Sequence, residues 1–197
     1  MSDEELRYRL RCLEKLGFAF SGDEQVLDAG CGNGGVARIL RDRAREVVAV
    51  DVERFDNWRD EPGLSFHVAD AEGLPFAGGS FDVVHSKDSL HHMDRPERAL
   101  VEYRRVLKPG GTALIVEANR YNPLFYPHMT LALGHEHFTR KRFRELVGAV
   151  FPAPRFGAFE AHYVPGLRPL RLQHAVEEGL ERLPPFRRLL SYNFAVA

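Results

Sequence analysis

The chain has 197 residues, 44% of them hydrophobic, and its 27 Lys and Arg nearly balance 28 Asp and Glu, leaving a formal charge of −1. That size suits one globular domain with a sizeable core, and the balance argues against a dedicated nucleic-acid binder, which carries a basic excess. No apolar run approaches the roughly 18–20 residues that cross a membrane. The start, Met1-Ser2-Asp3-Glu4-Glu5, is acidic where a secretory signal is basic and then apolar. Cys12 and Cys31 make no disulfide framework, so a cytoplasmic protein with reduced thiols is expected.

In chain order, Leu6, Leu10, Leu13 and Leu16 stand at helical spacing among charged residues, predicting an amphipathic helix over 3–16 ended by Gly17. Gln25 to Ala29 reads as a buried strand and Val36 to Arg45 as a helix with Val36, Ile39 and Leu40 inward. Strands follow at Glu46 to Asp51, Ser65 to Ala69 and Phe81 to Ser86. A helix from about Arg95 to Leu107 is stopped by Pro109-Gly110-Gly111, and Thr112 to Glu117 is the fifth strand. Strands separated by helical crossovers imply a doubly wound, mainly parallel, Rossmann-like α/β sheet of about seven strands. Ligands of such sheets sit at the carboxyl ends of the strands.

After Glu117 the pattern loosens, and residues 119–138 mix Pro, aromatics and histidines. Thr139 predicts a helix N-cap, although Arg142 stands where a capping-box acid would help. Phe143, Leu146, Val147 and Val150 give that helix its apolar face. Phe156 to Val164 and Leu189 to Val196 read as strands, with a helix from Leu172 to Leu183 between them. One domain over 1–197 is expected, with no domain after the last strand. It divides into an N-terminal helix and lead-in (1–24), a cofactor-binding core (25–119) and an acceptor-side and C-terminal part (120–197).

The sharpest signal is the loop Asp28-Ala29-Gly30-Cys31-Gly32-Asn33-Gly34-Gly35 between the first strand and its helix. Glycines there let the backbone pass close to a ligand and aim free helix amides at it. A tight turn with no ligand is the plain alternative. Asp28 suits a ligand carrying an ammonium and a sulfonium and tends to repel a dinucleotide pyrophosphate. Gly35 also completes Gly-x-Gly-x-x-Gly, so nicotinamide binding stays open.

The segment Val26 to Leu40, with Val-Leu-Asp-Ala-Gly-Cys-Gly-Asn-Gly-Gly, closely resembles motif I of class I S-adenosylmethionine-dependent methyltransferases. The likeness runs in family order over about residues 25–119 and more loosely to the end. It implies a methyltransferase that uses S-adenosyl-L-methionine, with Asp28, Gly30, Cys31, Gly32, Asn33 and Gly34 around the donor. Asp51, beside Val52, would accept from the ribose hydroxyls, as an acid at that strand end does in nucleotide-binding folds. Asp70-Ala71-Glu72-Gly73-Leu74-Pro75-Phe76 resembles the adenine-binding turn, with Asp70 accepting from the exocyclic amine and the Ala71 amide donating to a ring nitrogen. Ser86-Lys87-Asp88-Ser89-Leu90-His91-His92-Met93 resembles the loop along the methionine half, and Arg105 to Gly111 the turn before strand five, a packing feature.

Methyl transfer from a sulfonium is an in-line displacement that relies mainly on positioning, and a base is needed only for an acceptor that must lose a proton. His92 and His91 are the candidate bases, His92 foremost, with local packing as the alternative. His128, His135, Glu136 and His137 invite a metal reading, but the reaction needs no metal, and a polar lid is preferred. The strand-four loop lacks Asn/Asp-Pro-Pro-Tyr, which weighs against methylation of adenine or glutamine amides; Asn119-Arg120-Tyr121-Asn122-Pro123 follows the wrong strand. Leu124, Phe125, Tyr126, Met129, Leu131 and Leu133 form a candidate acceptor lining for a small or lipid-like molecule. They equally suit a cover for the sheet. Arg168, Arg171, Arg182, Arg187 and Arg188 read as a solvated face. A methyltransferase of small-molecule or lipid-like acceptors, acting as a monomer or homodimer without nucleic acid, is the reading carried forward. A nicotinamide-dependent oxidoreductase and a non-catalytic adenosyl-ligand module remain as alternatives.

Overall fold

A computed structural model describes residues 2–123, 126, 131, 134, 137–162 and 170–197, with Leu170 and Arg171 described by backbone alone. Seven strands form one sheet in the order β3-β2-β1-β4-β5-β7-β6. They are β1 (Gln25–Ala29), β2 (Glu46–Asp51), β3 (Leu64–Val68), β4 (Phe81–Lys87), β5 (Leu107–Ala118), β6 (Arg155–Phe159) and β7 (Tyr192–Val196). The first five run parallel, while β7 lies antiparallel between β5 and β6. The helices are α1 (Asp3–Glu14), α2 (Gly35–Arg41), α3 (Pro96–Val106), α4 (Arg140–Val150) and α5 (Leu170–Arg182).

Alternation along the central strands explains why both faces are covered. Val26, Val47, Ala49, Val83, Leu114 and Val116 enter one apolar cluster with Leu13 of α1, Leu16 just after it, Ile39 and Leu40 of α2, and Trp58. Their neighbours Leu27, Val50, Val84, Ala113 and Ile115 enter the other, with Leu100 and Tyr103 of α3 and Phe143, Leu146 and Val147 of α4. Successive side chains of a strand point to opposite faces, so a sheet buried on both sides reads as a continuous apolar run.

Several boundaries differ from the sequence reading by a few residues, among them those of α2, β5 and β6. Helix α2 stops at Arg41 instead of Arg45 because Arg43 N donates to Leu40 O at 2.9 Å, a tightened last turn, and the amides of Arg45 and Glu46 turn to Glu24 O. Strand β5 starts at Leu107, before the Pro-Gly-Gly turn. The register jumps from Phe81 opposite Leu107 to Val83 opposite Thr112, so the turn is a bulge within the ladder. Strand β6 ends at Phe159; residues 163 and 164 of its expected end lie outside the described residues. Thr139 does cap α4, its hydroxyl accepting from Arg142 N at 3.1 Å.

Phe143 is 1% exposed at the join of α3, α4 and the sheet. Phe143→Ala should lower unfolding free energy by about 3–5 kcal/mol, the range for a buried aromatic truncated to Ala, as measured by urea denaturation.

Candidate functional site

Strand order reverses between β1 and β4, because β2 and β3 lie to one side of that pair and β5 to the other. A crevice opens at such a point, beyond the carboxyl ends of the strands. The glycine loop crosses it. Gly30 has φ +74°, and a Cβ there would stand 2.4 Å from Ser89 Cβ. Gly34 has φ +75°, and a Cβ there would stand 2.5 Å from the Phe66 ring. Both the sign of φ and the missing space require glycine.

The loop is fastened on both sides. The amides of Gly30 and Cys31 donate to Val50 O at 2.9 Å each, and the Gly32 amide donates to Asp51 Oδ2 at 2.8 Å. On the outer side Trp58 Nε1 donates to Gly32 O at 2.8 Å, its ring stacked on Phe66 with centroids 5.2 Å apart. Asn57 Nδ2 and Arg38 Nη1 donate to Asn33 O at 2.9 and 3.0 Å. Nothing in the sequence pattern singled out Trp58 or Asn57, since the β2–β3 connection shows no motif.

Two adjoining clefts flank the loop and share Gly30, Gly32, Phe55 and Asp88. One, about 640 Å³, is lined by Asp51, Val52, Asp70 and Ala71, with His92 at its edge. The other, about 430 Å³, is lined by Asp28, Cys31, Asn33 and Lys87, with Tyr8 and Arg9 of α1 closing it. Of the donor residues expected from sequence, Gly34 and Ser86 line neither. Gly34 bends the loop, and Ser86 is turned into the core, its Oγ 2.7 Å from Ser89 Oγ and 3.3 Å from Tyr103 OH. Asp70 Oδ1 accepts from Glu72 N at 2.8 Å, which shapes its turn.

The charges in the second cleft are arranged unevenly. Asp28 is 2% exposed; its Oδ1 lies 2.7 Å from His85 Nδ1, while Oδ2 has no hydrogen-bond partner. A buried carboxylate oxygen left without a donor is costly unless something fills the role. Lys87 pairs with the Asp88 carboxylate and lies 4.4 Å from the Tyr192 ring centroid. Burial opposes its charge, but the neighbouring Asp88 prevails and holds its pKa well above the ordinary lysine value. Asp88 sits at φ +52°, unusual for a non-glycine residue, with Oδ1 accepting from Ala118 N at 3.1 Å. Burial, with Asp28 and Asp51 nearby, pushes the Cys31 thiol up, so it stays protonated and inert.

The two histidines of the loop after β4 have different positions. His92 is exposed at the edge of the larger cleft. The side chain of His91 is only 3% exposed and turns away to Glu117, Nδ1 to Oε2 being 2.6 Å. Glu117 is fully buried at the end of β5, where its Oε1 also accepts from the amides of Ser89 and Leu90 at 3.0 and 2.8 Å. An acid closing the apolar run Thr112 to Val116 was the available signal for it. His137 packs its ring 4.4 Å from that of His91. His128, His135 and Glu136 lie outside the described residues, as do Leu124, Phe125, Met129 and Leu133 of the expected acceptor lining and Arg168. Tyr126 and Leu131 of that lining are exposed. Among the described residues no group of three or more His, Cys, Asp or Glu is arranged to hold a metal ion.

Residues 27–115 match the family described as "Methyltransferase domain". With this match, the sheet order and the relatives below, the chain is similar to the class I S-adenosylmethionine-dependent methyltransferases, the likeness in sequence resting on residues 27–115. It is 35% identical to a demethylmenaquinone methyltransferase of Renibacterium salmoninarum over 55% of this chain and 46% of that protein. It is 34% identical to an uncharacterized methyltransferase of Synechocystis over 66% of this chain and 63% of that one. The chain thus spans less than two thirds of the length of either relative. In fold it is similar to the Haloferax volcanii methyltransferase solved with the Trm112 activator, with a TM-score of 0.71 at 22% identity, over 98% of this chain and 89% of that one.

Burial works against a charged His91, but its bond to Glu117 prevails and raises the imidazole pKa above 6.5; burial likewise raises Glu117. Both shifts mean that the folded state holds a proton more tightly. The contribution of His91 to stability is therefore fully present below about pH 6.5 and is lost as pH rises through its raised value. That of Glu117 is complete only below about pH 4.5 and is lost as pH rises through the raised carboxyl value. In Glu117→Gln the carboxylate is gone and burial is the largest remaining influence, so the His91 pKa should fall below that of the parent, as read from the imidazole Cε1–H shift in an NMR titration.

Proposed function

We propose that the protein transfers a methyl group from S-adenosylmethionine to a small-molecule or lipid-like acceptor. The observation that carries this is the unpartnered Oδ2 of Asp28, buried beneath the glycine loop in a cleft continuous with Asp51 and Asp70. An ammonium group placed there satisfies that oxygen and the buried charge together. Asp51, already oriented by Gly32 N and Glu53 N, retains lone pairs for two ribose hydroxyls. Asp70 and the Ala71 amide hold the adenine edge. Bound S-adenosylmethionine supplies a methyl group on a sulfonium, an electrophile with a neutral leaving group. What the chain contributes is alignment and exclusion of water.

His92 stands where it can take a proton from a phenol or hydroxyl acceptor; His91, bonded to Glu117, positions that loop. A relative named for demethylmenaquinone favours an apolar ring acceptor. Among the described residues no helix is long and apolar enough to cross a membrane. We infer a cytoplasmic enzyme, monomeric or homodimeric, whose near-neutral charge suits small acceptors and not nucleic acid.

Titration calorimetry should show binding of S-adenosylhomocysteine and none of NADH; the reverse result would overturn the donor assignment. Asp51→Ala should weaken S-adenosylhomocysteine by about 1–3 kcal/mol, the scale for losing a charged hydrogen-bond acceptor. Unchanged affinity in a folded variant removes Asp51 from the ribose site. Label appearing in a metabolite extract incubated with methyl-labelled donor establishes transfer.

A further inference from the structure

We propose that the outer face of α5 and the 3-10 turn Pro184–Arg188 after it form a docking surface for a membrane rich in anionic lipid, with apolar side chains entering the bilayer interface and arginines meeting the phosphates. A helix on a protein surface normally turns its apolar stripe inward. Helix α5 does the reverse. Glu177, 3% exposed, faces inward to Arg11, and Gln173 Nε2 donates to Glu177 Oε1 at 2.9 Å and to His162 O at 2.8 Å. Leu172 and Val176, one turn apart, are instead 62% and 55% exposed. Leu183, just past the helix, continues that stripe, and Phe186 and Leu189 of the turn region extend it, all three exposed. A single exposed leucine is ordinary, whereas a run of large apolar side chains marks a contact surface.

Charge decides what this surface meets. Burial, and then the charges of Arg144, Arg188 and Arg187, push the Arg140 pKa down, so the four guanidiniums stand in one cluster. Arg140 Nη1 also donates to Arg187 O at 3.1 Å, joining the start of α4 to the turn. Among the described residues none of the four pairs with a carboxylate; the exposed acid on α5, Glu178, is taken up by Arg11 and Arg182. Like charges so grouped repel until anions join them. Lipid phosphates supply the anions, and the acyl boundary behind them takes the leucines and Phe186. Nucleic acid offers no apolar sink for those side chains, and a second copy laid on this face by a two-fold axis would oppose like charges. The turn is fastened just beyond β5, at the end of the sheet where the clefts open: Asn119 Nδ2 donates to Arg188 O at 3.0 Å and Asn122 Nδ2 to Leu189 O at 2.9 Å. That placement suits the lipid-like acceptor proposed above, although docking does not depend on it.

Co-sedimentation compares vesicles of equal parts phosphatidylglycerol and phosphatidylcholine with vesicles of phosphatidylcholine alone. The parent protein should sediment with the first at low salt, less at high salt, and stay in solution with the second. Changing Arg187→Gln and Arg188→Gln together should weaken binding roughly fivefold for each charge removed. Phe186→Ser should weaken it about tenfold, the scale for withdrawing one large apolar side chain. Urea denaturation and S-adenosylhomocysteine affinity should match the parent, since these side chains lie outside the core and the clefts; Val176→Ser carries the same test should Phe186→Ser lose stability. A parent that binds neither vesicle, or both alike, overturns the proposal. So does binding unchanged in the arginine variant or the apolar one, or a preference for duplex RNA over the anionic vesicles. A parent that docks on anionic vesicles and does not bind S-adenosylhomocysteine keeps this surface and overturns the donor reading.

Discussion

At Gly30 the chain comes so close to Ser89 that a Cβ would stand 2.4 Å from the serine's own Cβ, and the carboxyl end of the sheet is organised around that contact. The loop after β1 and the loop after β4 meet there with no room between them. Ser89 then reaches in several directions. Its Oγ meets Ser86 Oγ at 2.7 Å and Ala29 O at 3.4 Å, and its amide donates to Glu117 at 3.0 Å. Ser86 in turn meets Tyr103 of α3. One close approach therefore ties β1, β4, β5 and α3 together, and the walls of both clefts inherit its precision. A larger residue at position 30 would have to move Ser89, and with it the whole polar network.

That network exists because acids stand at buried strand ends. Asp28, Glu117 and Asp88 occupy the ends of β1 and β5 and the residue after β4, and each has a nitrogen partner in His85, His91 or Lys87. Taking charges out of water costs several kcal/mol per ion, and pairing repays that cost only when the other lone pairs are also satisfied. Glu117 meets the condition, with three donors on two oxygens. Asp28 does not, since its Oδ2 has no donor, and in the reading proposed above that difference separates a structural pair from a binding one. The acid beside the unfilled oxygen is on the cleft wall, whereas the satisfied acid is behind it.

The sheet was legible because its strands are apolar runs bounded by glycine, proline and charge, and a doubly wound order follows from strands joined by helical crossovers. The glycine loop was legible for the same reason that it holds its shape: positive φ and close approach leave glycines in the sequence. What stayed hidden was partnership over long separations. No local pattern shows that Asp28 pairs with His85, that His91 faces Glu117 and His92 does not, or that Trp58 braces Gly32. Neighbouring histidines look equivalent in a sequence. They diverge here because the short 3-10 turn at Leu90–His92 points one inward and leaves the next at the cleft. The Pro-Gly-Gly turn misled for a related reason, since a bulge and a chain-reversing turn use the same residues.

Helix α1 links the cleft beside the glycine loop to the C-terminal part of the chain. Arg11 pairs with Glu177 and Lys15 with Glu181, both on α5, and Tyr8 OH lies 2.5 Å from Tyr192 OH at the start of β7. Glu177 and Glu181 also accept from the amides of His162 and Glu160, which lead out of β6. The helix that closes the smaller cleft is thus held by the same side chains that seat α5. Exposed ion pairs of this kind contribute little to stability when isolated. Here they are half-buried and share acceptors with backbone amides, so moving α1 would disturb α5 and β7 together. The cleft beside the glycine loop and the C-terminal segments therefore form one connected unit, although only the first carries recognisable motifs.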